Sequence, residues 1–324
     1  MQIFCNFAAQ IKKKVSMNIL ITGCNGQLGN EMRAGMDLHD DHQYFLTDIT
    51  AEDESLRLDI TDKAAVLAFM QEHRIELVVN CAAYTNVDKA EEDEATARKI
   101  NCDAVRNLAE AAAQVDARMI HVSTDYVFDG KGFIPYREDD QPSPATAYGR
   151  TKLEGEQALL DALPDAIIIR TAWLYSPYGN NFVKTMIRLG KERDLLSVVY
   201  DQVGSPTSAR DLAVAIYAVL ESKEWHAGIY HFTNEGVCSW YDFTREIHSL
   251  YNSQEVLRAY EKGDLQAAGQ TAIQCEVRPI LSSEYPTKTP RPHYSVLDKA
   301  KIKKTFGIEI PYWRDSLAQC IARL

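Results

Sequence analysis

The feature that most constrains the fold is a strand, a glycine-rich turn and a helix that follow one another directly near the start of the chain. Asn18–Thr22 is a short apolar run, and Gly23, Gly26 and Gly29 come after it at Gly-x-x-Gly-x-x-Gly spacing. In such a unit the N–H groups of the turn and the N-terminus of the helix can receive a pyrophosphate. The first glycine permits a tight turn, the second lets phosphates approach, and the third allows close packing of helix on strand.

This unit predicts a dinucleotide-binding domain of the doubly wound α/β class, a Rossmann-type fold with a parallel sheet. Short apolar runs that alternate with helical segments along the first half of the chain support it. We expect a nicotinamide cofactor at the turn, and the candidate contacts there are Gly23, Asn25, Gly26, Gln27 and Leu28.

Two acidic residues are candidates for the adenosine half of that cofactor. Residues 44–48 read as the second strand and end in Asp48, about twenty residues beyond the glycine-rich turn. A carboxylate there can accept hydrogen bonds from a ribose and would repel a 2′-phosphate. Residues 49–54 supply no basic side chain to offset that repulsion, so NADH is favoured over NADPH. Asp59 is expected near the adenine.

The third predicted strand, residues 76–80, opens into Ala82, Ala83 and Tyr84. Small alanines at a strand tip let a flat cofactor lie against the backbone, although simple packing explains them equally well. One long helix is expected over residues 95–114.

The stretch from residue 121 to 152 carries the candidate chemistry. Thr124 and Asp125 stand at the tip of a short buried strand, where ligands of open α/β sheets meet side chains. Tyr148 and Lys152 are four residues apart, which places them on one face of a helix. An ammonium beside a phenol favours the phenolate, so Lys152 is expected to lower the pKa of Tyr148 and make it a proton donor. Tyr-x-x-x-Lys also arises often by chance.

Charge and cysteine content limit the partners. The 324 residues carry a net charge of −11, which disfavours general binding of nucleic acid or anionic membranes. Seven cysteines, an odd number with no Cys-x-x-Cys, indicate reduced thiols and a cytoplasmic protein. No apolar run approaches the roughly 20 residues that span a bilayer. A homodimer is left open.

The expected domain division follows the change from regular β-α-β pattern to irregular segments. Residues 17–175 form the dinucleotide-binding domain, and residues 208–233 return to it. Residues 176–207 and 234–324 form a smaller, mostly C-terminal α/β domain that binds the substrate. Residues 1–16 are an extension without a secretory signal's order of charge and apolar run.

Together these segments resemble the extended short-chain dehydrogenase/reductase superfamily, and within it the dTDP-4-dehydrorhamnose reductase family. The likeness runs from Met17 to the C-terminus. The stretches that carry it are 22–29, 80–91, 123–130, 148–152, 170–175, 179–186, 201–207 and 290–293.

The resemblance implies hydride transfer from a nicotinamide to C4 of a keto sugar in dTDP-rhamnose synthesis. Tyr148 would protonate the alkoxide, Lys152 would also hold the nicotinamide ribose, and Thr124 would hydrogen-bond the sugar oxygen. By the same resemblance a sugar nucleotide would be bound by Asp125, Tyr126, Trp173, Asn181 and Arg291. The resemblance also leaves Mg²⁺ open, but the sequence shows no cluster of acids to hold it, and no metal ligands are predicted.

Three alternatives bear on this interpretation. Sugar-nucleotide dehydratases of the superfamily have Thr-Asp-Glu at the strand tip, whereas this chain has Tyr126 in third place, so dehydration is disfavoured. Epimerases share the Tyr–Lys pair and stay open. So does a non-catalytic NAD(P)-binding subunit that resembles the regulatory subunit of methionine adenosyltransferase, although every assignable acid–base position is filled here.

Overall fold

The structure, a computed structural model, describes residues 16–262 and 271–324. Its strands in chain order are β1 (Asn18–Thr22), β2 (Gln43–Thr47), β3 (Leu77–Asn80), β4 (Arg118–Thr124), β5 (Ile167–Thr171), β6 (Leu174–Tyr175), β7 (Leu195–Val199), β8 (Val203–Gly204), β9 (Thr207–Ser208), β10 (Gly228–His231), β11 (Cys238–Ser239), β12 (Glu276–Ile280) and β13 (Tyr294–Ser295).

The α-helices of the described residues alternate with the strands over the first two thirds of the chain. They are α1 (Gln27–Gly35), α2 (Lys63–Glu72), α3 (Val87–Glu92), α4 (Glu94–Arg98), α5 (Ala104–Gln114), α6 (Ala147–Ala162), α7 (Phe182–Glu192), α8 (Ala209–Leu220), α9 (Trp240–Glu261), α10 (Ala300–Phe306) and α11 (Trp313–Ala322).

A parallel sheet of six strands, ordered β10-β5-β4-β3-β1-β2, organises the fold. The chain winds from β1 outward to β2 on one side, and on the other through β3, β4 and β5 to β10. The connections therefore reverse direction between β1 and β3, which opens a crevice at the carboxyl ends of these strands. The predicted α/β fold class is confirmed.

Two apolar layers cover the sheet, one on each face. Leu20, Val78 and Met119 pack against α2, α5 and α6 on one face, while Ile19, Ile21 and Ile120 pack against α1 and α8 on the other. Strands covered on both faces read as continuous apolar runs, which is why these strands could be predicted from the sequence.

The helix expected over residues 95–114 is interrupted. A π-helical stretch, Lys99–Asp103, joins α4 to α5. Within it Asn101, which is buried, accepts from the Tyr84 N–H through Oδ1 at 2.9 Å and donates to the Tyr84 carbonyl through Nδ2 at 3.1 Å. The interruption thus holds the loop that follows β3. Such π-stretches often lie at functional sites.

The remaining strands form three small sheets, β11-β8-β13, β12-β7 and β6-β9. A separate apolar cluster that includes Phe243, Ile247 and Leu317 supports them. The division into two domains at the expected boundaries stays a prediction, and of the expected extension 1–16 only residue 16 lies within the described part.

The described residues also bear on the expected partners and compartment. None of their helices combines the length and apolar character needed to cross a bilayer. Their cysteines, at positions 24, 81, 102, 238, 275 and 320, are all free thiols.

Candidate active site

A cleft of about 920 Å³ lies at the carboxyl ends of β1, β3 and β4. It collects most of the residues singled out from the sequence, drawn from segments far apart in the chain. The predicted residues that line it are Gly23, Gly26, Gln27, Leu28, Asp48, Asp59, Ala82, Ala83, Thr124, Asp125, Tyr126, Tyr148, Lys152, Trp173 and Asn181. Asn25, Tyr84 and Arg291 are not among its lining residues.

The glycine-rich turn forms a cradle that side chains would fill. Gly23 has a φ of +67°, and a Cβ there would lie 2.7 Å from the backbone of Ala82. A Cβ on Gly29 would lie 2.4 Å from the Gly23 carbonyl oxygen, so α1 packs directly on the turn. Gly26, which precedes α1, leaves the start of that helix open. These residues fit a dinucleotide, because the helix N-terminus and bare backbone can receive its phosphates.

Asp48 fastens the turn to the end of β2. Its carboxylate accepts from the Asn25 N–H at 3.2 Å and from the Thr50 hydroxyl at 2.7 Å. Asn25 in turn donates its side-chain amide to Thr50 at 3.0 Å, which accounts for its place outside the lining.

A basic side chain approaches this region, although residues 49–54 contain none. The Arg33 guanidinium, in the second turn of α1, lies 3.2 Å from the Cys24 thiol and 3.4 Å from Asn25 Oδ1. Helix α1 therefore brings a cation to the turn that the residues directly after Asp48 do not reveal. The preference for NADH stays a prediction.

Tyr148, Thr124 and Asp125 lie together at the end of β4. The Thr124 hydroxyl donates to Asp125 Oδ1 at 2.9 Å and accepts from the Tyr126 N–H at 3.2 Å, and it lies beside the Tyr148 hydroxyl. Thr146 caps α6 by accepting from the Gly149 N–H at 3.0 Å, so the helix begins before Tyr148 and presents it from its first turn. Burial raises the pKa of Asp125 to about 6.

The expected lowering of the Tyr148 pKa by Lys152 is wrong. Burial raises the pKa of Tyr148 above its ordinary value, and the neighbouring Thr124 hydroxyl only partly opposes this. The Lys152 amine donates to the Val122 carbonyl at 2.7 Å and lies 3.3 Å from His121 Nε2. Burial lowers the pKa of Lys152 itself to about 8. The amine is therefore engaged by the end of β4, and burial decides the direction of the Tyr148 shift.

Tyr126 links the cleft to Arg291. Its ring meets that of Tyr148 edge to face at 5.4 Å between centroids, and the Arg291 guanidinium lies near its hydroxyl. Arg291 also pairs with Asp88 at 2.6 Å, so its charge is already partly neutralised. Burial raises the pKa of Tyr126 to about 12, and the nearby guanidinium opposes that rise.

Trp173 and Asn181 bring the later segments to the cleft. Trp173 has a φ of +51°, uncommon for a bulky residue, and stacks on Trp240 at 3.4 Å between ring centroids. Asn181 caps α7 by accepting from the Lys184 N–H at 3.2 Å and donates to Gln27 Oε1 at 3.0 Å. This hydrogen bond joins the glycine-rich turn to α7 across the cleft.

Comparison with known proteins places this cleft in a family. The family described as RmlD substrate binding domain matches residues 17–324. A dTDP-4-dehydrorhamnose reductase of Aggregatibacter actinomycetemcomitans is 41% identical over 303 residues, covering 92% of this chain and 96% of that protein. The chain belongs to the dTDP-4-dehydrorhamnose reductase family.

Solved structures of the family agree with this placement. The Clostridium acetobutylicum dTDP-4-dehydrorhamnose reductase is 44% identical with a TM-score of 0.82, over 94% of this chain and 98% of that one. The Bacillus anthracis dTDP-4-dehydrorhamnose reductase, in complex with NADP, is 35% identical with a TM-score of 0.84, over 95% of this chain and 100% of that one.

In this member of the dTDP-4-dehydrorhamnose reductase family, several lining residues escaped the sequence analysis. Ser123 precedes Thr124 and could have been included as part of the same strand end. Thr96 and Lys99 come from the helix expected over 95–114, and Lys99 begins its π-helical interruption. Their approach depends on how that helix packs, so no sequence signal marks them.

Metal binding finds no support in this reductase family member beyond the resemblance. Among residues 16–262 and 271–324, no group of three or more His, Cys, Asp or Glu side chains is arranged to hold a metal ion.

Proposed function

We propose that this chain reduces the C4 ketone of dTDP-4-dehydro-6-deoxy-L-mannose to dTDP-L-rhamnose. The observation that carries the proposal is the meeting of Tyr148, Thr124 and Lys152 in the cleft that also contains the glycine-rich turn. A nicotinamide cofactor bound at that turn supplies the hydride. The family membership and the two reductase structures support the same reaction.

Tyr148 gives the proton that accompanies this reduction. Its hydroxyl stays protonated at neutral pH because its pKa is raised, and an alkoxide is a much stronger base than a phenolate. Thr124, which lies beside Tyr148 and bonds Asp125, orients the phenol toward the sugar oxygen. Lys152 holds the nicotinamide ribose. Proton donation of this kind contributes about 10²–10⁴-fold to rates.

The pocket for the sugar nucleotide is proposed to use Asp125, Tyr126, Trp173, Asn181 and Arg291. The first four line the cleft, and Arg291 bonds Tyr126 from outside the lining. A guanidinium suits diphosphate oxygens, so binding would draw Arg291 from Asp88 to the substrate.

NADH is the preferred cofactor in this proposal, because Asp48 can accept hydrogen bonds from a ribose and repels a 2′-phosphate. Arg33 moderates that preference, because its cation lies beside Asn25 on the same turn. NADPH should therefore be used too, at a higher KM.

Deuterium transfer tests the reaction. Reduced cofactor carrying deuterium at the transferable C4 position should place deuterium at C4 of the rhamnosyl product, as read by mass spectrometry and NMR. An epimerase would change sugar configuration without net deuterium gain, and a cofactor-binding subunit would form no product. Either result would contradict the proposal that this chain is a reductase.

A further inference from the structure

A row of buried polar side chains crosses the sheet beneath the cleft. Thr22 on β1, Asn80 on β3 and His121 on β4 stand side by side, because the strand register pairs Thr22 with Asn80 and Asn80 with His121. All three are fully buried. The row ends at Lys152, whose amine lies 3.3 Å from His121 Nε2. Buried polar groups must find partners, so the direction of each hydrogen bond can be worked out.

Asn80 is the residue whose orientation can be assigned first. The Ala82 N–H, which can only donate, lies 3.1 Å from Asn80 Oδ1, and the Thr22 hydroxyl donates to the same oxygen at 2.7 Å. The amide nitrogen of Asn80 therefore faces His121 Nδ1, at 3.0 Å. Since an amide nitrogen only donates, Nδ1 must accept, and the proton of the neutral ring sits on Nε2.

The Nε2–H of His121 then points at Lys152. A donor facing the amine needs a lone pair, which only the neutral amine has. The neutral amine keeps two hydrogens, one of which goes to the Val122 carbonyl at 2.7 Å. Protonation of Lys152 would place an N–H of its ammonium against the Nε2–H of His121. Only a change of the His121 tautomer would avoid this, and Asn80 would then give up its bonds to Ala82 and Thr22.

We propose that Asn80 and His121 are positioning residues for Lys152: Asn80 holds His121 as the Nε2–H tautomer, and the Nε2–H of His121 favours the neutral amine of Lys152 over its ammonium. Both act through Lys152 and not on the substrate. The other titratable group that acts on the amine is Glu156 on the same helix, and Glu156 is paired with Arg170 of β5.

The consequence for the proposed reductase concerns the state of Lys152 before turnover. A cationic Lys152 stabilises the negative charge that develops as Tyr148 releases its proton. The row opposes that cation, so the resting enzyme loses it at a lower pH than a lysine without these neighbours. The pH at which kcat/KM falls on the alkaline side reports this ionisation, because kcat/KM follows groups of the free enzyme.

The tautomer can be measured without any activity, which separates failure of this inference from failure of the proposed function. Nitrogen-15 NMR of the histidine-labelled full chain distinguishes Nδ1–H from Nε2–H rings. His121 should show Nε2–H. The matched control is His231, also buried, whose Nδ1 lies 3.1 Å from the Tyr136 carbonyl and must donate to it. His121→Gln and His231→Gln assign the two signals, or through-bond assignment does so in the wild-type chain. An Nδ1–H ring at His121 overturns the inference.

Asn80→Asp tests the effect on Lys152. The aspartate keeps an acceptor for Ala82 and Thr22 but accepts from His121 Nδ1–H, which turns Nε2 into an acceptor for the ammonium. The alkaline limb of kcat/KM should move up by about one pH unit, and the His121 signal should change to Nδ1–H. Thr22→Val is the control, since the Ala82 N–H alone still orients Asn80, and it should move neither readout. If Asn80→Asp lowered kcat/KM equally at every pH and left the alkaline limb in place, the row would have only a structural role.

Discussion

Tyr148 shows how burial decides the chemistry of a single residue. Its side chain is partly buried and burial raises its pKa, so the proton stays on the phenol until a stronger base arrives. We expect Tyr148→Phe to lower kcat by about 10²-fold or more, because the ring is kept and only the proton donor is lost. Cofactor binding, followed by fluorescence of the reduced nicotinamide, should be unchanged. Retention of more than a few per cent of turnover would contradict the role given to Tyr148.

Arg33 should decide how well NADPH is used. Its guanidinium lies beside Asn25 at the turn whose other side is held by Asp48. Arg33→Ala removes the cation available to a 2′-phosphate, so the KM for NADPH should rise about 10-fold, the scale of one charge-assisted hydrogen bond, with little change for NADH. Arg188→Ala, an exposed arginine paired with Glu192 on α7, is the control and should change neither KM. An equal rise for both cofactors would contradict this assignment.

For single residues, the sequence identified the members of the cleft better than it predicted their protonation states. The glycine spacing and the Tyr148–Lys152 spacing are local patterns, and the structure brings these residues into one cleft. The direction of the Tyr148 pKa shift could not be predicted, because it depends on burial by distant elements. Arg33 was overlooked for a similar reason, since its approach to the turn depends on the orientation of α1.

At the scale of elements, Gly155 controls how α6 meets the π-helical stretch. A Cβ there would lie 1.9 Å from the Asn101 carbonyl oxygen. Helix propensity alone predicts that Gly155→Ala stabilises the chain by about 1 kcal/mol. We expect the opposite, a loss of about 2 kcal/mol in the free energy of unfolding, because the clash is with backbone that also holds the loop after β3. Urea denaturation measures the change, and any stabilisation would contradict the close approach.

The types of the elements could be predicted from the pattern of apolar residues, but the interruption of a helix could not. The continuous apolar runs of β1, β3 and β5 predict buried parallel strands, and those strands are present. The π-helical stretch has no such pattern, because it forms where Asn101 bonds both backbone groups of Tyr84. Tertiary contacts, not local propensity, determine it.

For the whole molecule, buried histidines make stability fall on acidification. Burial lowers the pKa of His231 to about 3, so between that value and its unfolded pKa near 6.5 only the unfolded chain binds the proton. The contribution of His231 to the free energy of unfolding is complete above pH 6.5 and is lost as the pH falls. The destabilisation caused by His231→Gln should therefore shrink between pH 7 and 5, by up to about 1.4 kcal/mol per pH unit.

The half-buried His226, whose side chain is 41% exposed, provides the control for this pH series. His226→Gln should change the free energy of unfolding by less than about 0.5 kcal/mol at any pH in the range. Asp125 contributes with the opposite sign, because its pKa of about 6 exceeds the unfolded value and the folded chain holds the proton there. A pH-independent effect of His231→Gln would show that its ring is not held neutral.

The contacts that join distant segments of the chain around the cleft are the part of the structure that the sequence predicts least. Gln27 and Asn181 are 154 residues apart and share a hydrogen bond of 3.0 Å. Arg323, next to the C-terminus, pairs with the buried Glu31 of α1 at 2.8 Å. Neither contact has a local pattern, so the sequence could predict many of the residues that line the cleft but not how they are joined.

The most direct test of the whole account is turnover of dTDP-4-dehydro-6-deoxy-L-mannose by the purified chain, followed as loss of reduced-nicotinamide absorbance with NADH and NADPH in parallel. We expect turnover with both cofactors, faster with NADH at low concentration, and dTDP-L-rhamnose as the product. Turnover with NADPH alone would contradict the role of Asp48. No turnover with either cofactor, from a protein that binds both, would contradict the reductase itself.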